Sequence, residues 1–190
     1  MKQDIIIAGV GGQGILSIAY VIDNAALKEG LYFKQAEIHG MAQRGGGVQS
    51  HLRISDQDIF SDLIPRGSAD LILSVEPMEA LRYFDYMGPE GTIVSSSFPF
   101  INIPDYPELD TILDAIRKAK NSIIIDSKKL AVEAGSALSQ NMVMLGAASP
   151  FLKLKKENLL EYIGSLFSRK GETIVEMNKK AFELGRAAAQ

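Results

Sequence analysis

The sequence predicts an α/β protein: a Rossmann-like, mostly parallel sheet with helices on both faces, a β-hairpin insertion and a helical C-terminal layer. Three observations predict it. Short β-branched runs end in glycine or serine, apolar residues recur at helical spacing between them, and a polar–apolar alternation breaks that rhythm once. At 190 residues with 46% hydrophobic and 23% charged residues, the chain is expected to bury one core, as a single domain over residues 1–190.

Residues 4–9 read as a buried strand that Gly9 ends. Residues 14–29 read as a helix, because Ile15, Ile18, Ala19, Ile22 and Ala26 share one face and Gly30 follows as a stop. Residues 31–37 supply a second strand, which predicts a right-handed βαβ unit with parallel pairing. Val48 to Ile54 then alternates, and Ser55-Asp56-Gln57 resembles a turn before Ile59-Phe60. A hairpin or an antiparallel extension is expected there.

Parallel strands are expected to resume at 70–75, 92–96 and 122–126, with helices over 77–87 and 110–120 and another starting near Ser127. Pro99, Pro104 and Pro107 mark a loop rather than a domain boundary. The last fifty residues are helical in pattern, with stripes through Leu159, Leu160, Ile163, Leu166 and Phe167, then through Ile174, Met177, Ala181, Phe182, Gly185 and Ala188. No internal repeat or low-complexity tract interrupts the chain.

Composition narrows the function. A net charge of −3 argues against general nucleic-acid affinity. No apolar run approaches the roughly 18 residues needed to span a bilayer. The chain enters its first strand without a secretory pattern, so a cytoplasmic protein is expected. The chain has no cysteine, which excludes disulfides, a thiolate nucleophile and cysteine-held zinc or iron–sulfur clusters. With only His39 and His51, no histidine-rich metal site is expected either.

Chemistry concentrates in two glycine-rich loops. Nine of the 17 glycines fall between Gly9 and Gly47. In the first loop Gly9, Gly11 and Gly14 satisfy the GxGxxG spacing after a strand and before a helix, with Gly12 and Gln13 between them. Such a turn lets backbone amides and a helix N-terminus approach a phosphate. The same turn also serves plain packing or contact with another chain. Glu37 stands 23 residues beyond Gly14, where a dinucleotide enzyme places a ribose-binding carboxylate.

The second loop carries Gln43, Arg44, Gly45, Gly46 and Gly47. A guanidinium flanked by glycines suits bidentate capture of a carboxylate or phosphate, and equally an ion pair with Glu37. Gln13 and Gln43 are neutral hydrogen-bonding groups, or plain solvated ones. His39 stands beside a turn glycine, where a structural hydrogen bond competes with acid–base work. His51 and Arg53 share one strand face, which reads as solvated or as an interaction surface. Glu76 follows the strand at 70–75, as a ligand-facing acid or a helix-start acid. No Ser-His-Asp order, paired-carboxylate pattern or nucleotide-hydrolysis motif is evident.

Together these residues resemble a known family. Gly9-Val-Gly-Gly-Gln-Gly14, Glu37 through Gly46, Ser50-His-Leu-Arg53, Ala69-Asp70, Glu76-Pro-Met-Glu-Ala80 and the segment Asn141 to Ala147 resemble the gamma-type subunit of 2-oxoacid:ferredoxin oxidoreductases. The Gly40–Gly46 form is most similar to the beta subunit of indolepyruvate ferredoxin oxidoreductase. The resemblance spans nearly the whole chain, with Ser95-Ser96-Ser97 a departure where relatives often carry asparagine.

The resemblance implies a subunit inactive alone, beside a larger partner that carries thiamine diphosphate and iron–sulfur clusters. The complex would decarboxylate a 2-oxoacid oxidatively, form an acyl-coenzyme A and pass electrons to ferredoxin. This chain would hold no cofactor by itself. It would complete the assembly and position coenzyme A or substrate at a shared site through Gly11, Gly12, Gln13, Gly14, Arg44, Gly45 and Gly46. Glu37, His39, Gln43, Glu76 and Asn141 would be accessory to it, and the catalytic residues are left unassigned. Indolepyruvate or another aryl pyruvate is the expected oxoacid, with pyruvate- or 2-oxoglutarate-type members as alternatives. A stand-alone NAD-binding oxidoreductase is the competing class.

Overall fold

The computed structural model describes residues 1–40 and 45–190. Six strands form one sheet: β1 (Lys2–Val10), β2 (Tyr32–His39), β3 (Gly47–Ser55), β4 (Ala69–Ser74), β5 (Met87–Ser96) and β6 (Ser122–Ile125). Their order is β2-β3-β1-β4-β5-β6. β1, β4, β5 and β6 run parallel, whereas β3 runs antiparallel to both its neighbours. Among the described residues seven α-helices complete the fold: α1 (Ile15–Lys28), α2 (Pro77–Arg82), α3 (Leu109–Arg117), α4 (Ser127–Ala134), α5 (Gln140–Ala148), α6 (Lys156–Phe167) and α7 (Glu172–Ala188).

The strand residues dictate the two layers. Ile5, Ile7, Leu71, Leu73 and Val94 point to one face, where they join Ile18 and Ile22 of α1, the α5 apolar run and Phe182 of α7. Ile6, Ile72 and Ile93, one residue out of phase, point to the other face and meet Ala80 of α2 and Ile112 and Ile116 of α3. Continuous apolar runs in β1 and β4 therefore reflect burial on both faces of a doubly covered sheet.

The first expected βαβ unit is interrupted. β2 follows α1 but does not pair with β1, because β3 lies between them, pairing Leu52 with Ile5 on one side and with Gln35 on the other. Burial explains the order. Ser50, His51 and Leu52 are all buried, so β3 needs cover on both faces, whereas exposed Tyr32, Lys34 and Glu37 let β2 take the edge. The antiparallel extension expected at 48–54 is thus β3, but it pairs with β2 and β1 and makes no hairpin across Ser55-Asp56-Gln57.

The segment after Ser55 makes no strand through Ile59-Phe60 but a loop pinned from β3. The side chain of Arg53 grips buried Asp4 with two bonds (2.8 and 3.1 Å) and donates to the carbonyls of Ser61 and Leu63. His51 Nδ1 accepts the Ile64 amide at 3.0 Å, which places the proton of the neutral ring on Nε2, edge-on to Tyr86. Burial holds the His51 pKa below its ordinary value. The face these two residues share is therefore an internal anchor, neither solvated nor an outer surface. The helix expected over 77–87 ends at Arg82, and a short turn at Phe84–Tyr86 leads into β5.

On the larger helical layer α5 and α7 cross backbone to backbone. A methyl group at Gly146 would lie 1.9 Å from the Phe182 carbonyl oxygen, and one at Gly185 would lie 1.9 Å from that of Val143. Gly146→Ala is expected to lower unfolding free energy by about 2–4 kcal/mol, because neither helix can yield without unpacking the core. Urea denaturation checks it.

Asp23 sits on the core side of α1, buried, with Oδ1 unpartnered among the described residues. Burial pushes its pKa up from 3.8 to about 7. The folded state thus keeps a proton that the unfolded state releases near pH 4. Stability is full below that pH and falls as pH rises to about 7, by on the order of 4 kcal/mol. Asp23→Asn is expected to flatten this slope, seen as a stabilisation that grows between pH 4 and 7.5 in denaturation curves.

Candidate functional site

The end of β1 and the start of α1 form the first glycine loop, and the antiparallel return of β3 brings the second glycine loop beside it. The Gly11 amide donates to the Gly46 carbonyl at 2.8 Å, and the Gly45 amide donates to the Gly11 carbonyl at 3.3 Å. Two loops more than thirty residues apart thus become one floor.

Gln13 closes the first turn internally. Its amide donates to the Val10 carbonyl at 3.0 Å, and its Oε1 accepts the Val10 amide at 2.8 Å. Gly14 has φ +79°, and a methyl there would stand 2.5 Å from Asn141 Nδ2. Glycine is required at that position by backbone and neighbour together. Asn141, in the first turn of α5, directs its amide at the Gly14 carbonyl at 3.5 Å. Among the described residues, the amides of Gly12, Gly14, Ile15 and Leu16 have no hydrogen-bond partner. Ile15 and Leu16 are free donors at the start of fourteen-residue α1, and together with the two loop amides they favour an anion.

A cleft opens on either side of this loop. The first, of about 370 Å³, combines Gly11, Gly12 and Gly14 with Glu37 and His39 from β2. Both side chains are exposed, and His39 Nδ1 lies 3.2 Å from the Gly40 carbonyl. The second, of about 440 Å³, lies between the same glycines with Gly45, Phe98 and Phe100, and Leu138 and Asn141. Arg44 and Gln43 lie outside the described residues. Of the other sequence-predicted residues, the glycines, Gln13, Glu37, His39 and Asn141 gather here.

Glu76 does not reach either cleft. It is fully buried at the start of α2, where Oε2 accepts the Glu79 amide at 2.8 Å. Its Oε1 accepts the Phe100 amide at 3.3 Å and the Tyr106 hydroxyl. Burial and this carboxylate push the Tyr106 pKa up, so the phenol stays a donor. Glu76 is thus the helix-start acid, and it also tethers the proline-rich loop that carries Phe98 and Phe100. The far end of that loop is tied to the site as well, through Asn102 Nδ2 and the Gly45 carbonyl.

Phe98, Phe100, Asn102 and Leu138 are site residues that sequence reasoning missed. The one signal was the cluster of prolines between β5 and α3. Among the described residues, no group of three His, Asp or Glu side chains is placed to hold a metal ion. No helix among them is long and apolar enough to cross a membrane.

This geometry, a glycine loop at the carboxyl end of a doubly covered sheet with an antiparallel strand beside it, can be compared with known proteins. The sequence model of the pyruvate ferredoxin/flavodoxin oxidoreductase family matches residues 4–188, and the chain belongs to that family. It is 38% identical to the indolepyruvate oxidoreductase subunit IorB of Pyrococcus horikoshii, over 100% of this chain and 98% of that protein. It is 29% identical to the 2-oxoglutarate synthase subunit KorC of Methanothermobacter marburgensis, over 98% of this chain and 96% of that protein.

Solved structures share the fold. A 2-oxoglutarate:ferredoxin oxidoreductase from Magnetococcus marinus, with 2-oxoglutarate, coenzyme A and succinyl-CoA bound, aligns with a TM-score of 0.79 at 24% identity. The match covers 99% of this chain and 31% of that one. The gamma subunit of a keto/oxoacid ferredoxin oxidoreductase from Geobacter sulfurreducens aligns with a TM-score of 0.71 at 24% identity, over 98% of both chains.

The tether makes Glu76 a structural residue with a local readout. Glu76→Ala is expected to cost about 2–4 kcal/mol, because it strands the buried Glu79 amide together with the Phe100 amide and the Tyr106 hydroxyl. Amide hydrogen exchange at Phe98–Asn102 should accelerate more than exchange in β1, which a general loss of stability would not produce.

Proposed function

We propose that this chain is the small subunit of an indolepyruvate-class 2-oxoacid:ferredoxin oxidoreductase, a single cytoplasmic domain that completes an active site held mainly by a larger subunit. The complex oxidises an aryl 2-oxoacid with loss of carbon dioxide and joins the acyl group to the sulfur of coenzyme A. The two electrons released pass to ferredoxin. Thiamine diphosphate, when bound in the partner, supplies the carbanion chemistry of decarboxylation. A chain without cysteine leaves the cluster thiolates to the partner as well.

The observation that carries the reading is the Gly11–Gly46 bond, which joins both family-specific loops into one anion-receptive floor. In this reading Gly12 and Gly14 present free amides to the coenzyme A diphosphate, Gly11, Gly45 and Gly46 hold the two loops together beneath it, and Arg44 adds a guanidinium. Gln13 and Asn141 hold the loop in shape. The similarity to IorB subunits over the full chain supports an aryl pyruvate over other oxoacids.

One observation favours a second reading, an NAD-binding oxidoreductase: Glu37 lines a cleft together with Gly11, Gly12 and Gly14. Against it, β3 displaces β2 from β1, so the carboxylate stands one strand further out than in an uninterrupted βαβ unit. Binding of NAD to the isolated chain, lost in Glu37→Ala, would establish it.

Co-expression with the large subunit and assay of an oxoacid panel tests the leading reading. Indolepyruvate and phenylpyruvate should turn over with strict dependence on coenzyme A, and preference for pyruvate or 2-oxoglutarate would overturn the substrate class. In the same complex Gly14→Ala should raise KM for coenzyme A by at least about 10-fold, since the strained loop withdraws amide donors from the anion.

A further inference from the structure

β2 is an open edge. The strand order puts it outermost, and among the described residues no strand pairs with its outer side. The other edge strand, β6, spans only Ser122–Ile125. β2 runs from Tyr32 to His39 without proline and pairs with β3 without a register shift. A long, regular edge with free backbone groups is a template for another strand.

The register identifies those groups. The Asp56 amide donates to the Met1 carbonyl at 3.0 Å, one step beyond the Lys2–Ser55 pair, so the even-numbered β3 residues bond to β1. The odd-numbered β3 residues therefore bond to β2, where they face Tyr32, Lys34, Ala36 and Ile38. The N–H and C=O groups of Phe33, Gln35, Glu37 and His39 are left pointing outward.

This row is complementary to its own reverse. When a second β2 lies antiparallel with Ala36 opposite Ala36, Phe33 meets His39 and Gln35 meets Glu37, and every outward group of the four residues finds a partner. Gln35 Nε2 donates to Ser50 Oγ at 3.0 Å and keeps a second proton for the Glu37 carboxylate across the seam. On the other face Ile38, exposed in the single chain, lies against the stem of Lys34. The neighbouring registers are poorer. Centring on Lys34 sets two ammonium groups face to face, and centring on Glu37 sets two carboxylates so. Centring on Gln35 leaves His39 beyond the end of the facing strand.

We infer that β2 is the seam of a twofold dimer of this chain, which joins two six-stranded sheets into one with Ala36 on the axis. The occupant is a second copy because charge and hydrogen bonding match when the strand meets itself. The seam also reaches the first cleft, which Glu37 and His39 line. There the second copy sets its Phe33 beside His39 and its Gln35 beside Glu37, so each copy completes the cleft of the other. The dimer goes beyond the function proposed above and is independent of which oxoacid or coenzyme the complex takes.

The chain has no cysteine, so single cysteines report the seam. Facing residues at a non-hydrogen-bonded position have Cα atoms about 4.5 Å apart, within disulfide reach. In oxidised glutathione Ala36→Cys should form a covalent dimer at least about 10-fold faster than Lys34→Cys or Ile38→Cys, whose twin thiols stand about 14 Å apart. Mixed Lys34→Cys and Ile38→Cys chains should cross-link to each other. Wild type should sediment as a dimer. Ala36→Glu places two carboxylates on the axis and should sediment as a monomer with an unchanged far-ultraviolet circular dichroism spectrum.

A monomeric wild type would overturn the assignment, as would a dimer in which the three cysteine variants cross-link equally. An edge protected from hydrogen exchange only in the co-expressed complex, with no Ala36→Cys disulfide, would also overturn it and give β2 to the larger subunit.

Discussion

The position of β3 is the constraint on which the rest of this structure depends. By entering between β1 and β2 it runs antiparallel to both, so its first residue pairs with the last of β1, Gly47 against Val10. The ends of two strands and the two loops they carry then meet at one sheet edge. Parallel insertion would have put the second loop at the opposite pole. The ladder costs nothing in burial, because Ser50, His51 and Leu52 of β3 find cover on both faces. Tethers at the far end keep the strand in register, above all the buried Arg53–Asp4 pair.

Behind the loops stands a second tier of support with its own logic. Asn141 reaches Gly14 from α5, Gln13 closes the turn from within, and Asn102 reaches Gly45 from the proline-rich loop that Glu76 anchors. Asn141 and Asn102 belong to elements outside the two loops, whereas Gln13 acts within the first. The floor is therefore held from three directions while its free amides remain available. Such preorganisation is what a subunit needs if it is to present a substrate to chemistry carried on another chain.

Much of this was legible in the sequence, for definable reasons. Ile5–Ile7 and Leu71–Leu73 announce buried strands because burial on both faces leaves a continuous apolar run. The Ile15–Ala26 stripe announces α1 because only one helix face is covered. The GxGxxG turn and the glycines after Arg44 were legible because tight backbone demands glycine.

The order of β2, β3 and β1 was not, since strand neighbours are chosen by tertiary burial and local pattern does not encode them. Glu76 was legible as an acid at a helix start, yet its complete burial depends on Tyr106 and Phe100, which lie 24 or more residues away. Leu138 left no sequence signal, because a cleft assembled from distant elements has no spacing of its own. Asn141 was reachable through family resemblance alone.

The close crossing of α5 and α7 has a consequence for the order in which the protein can be completed. Asn141 is seated against Gly14 by a helix that packs most extensively on α7, backbone to backbone near Phe182 and Gly185. During synthesis the glycine turn emerges early, but the brace that fixes it stays uncovered until some 170 further residues have been made. A nascent chain therefore carries an unfinished loop until α7 has been made.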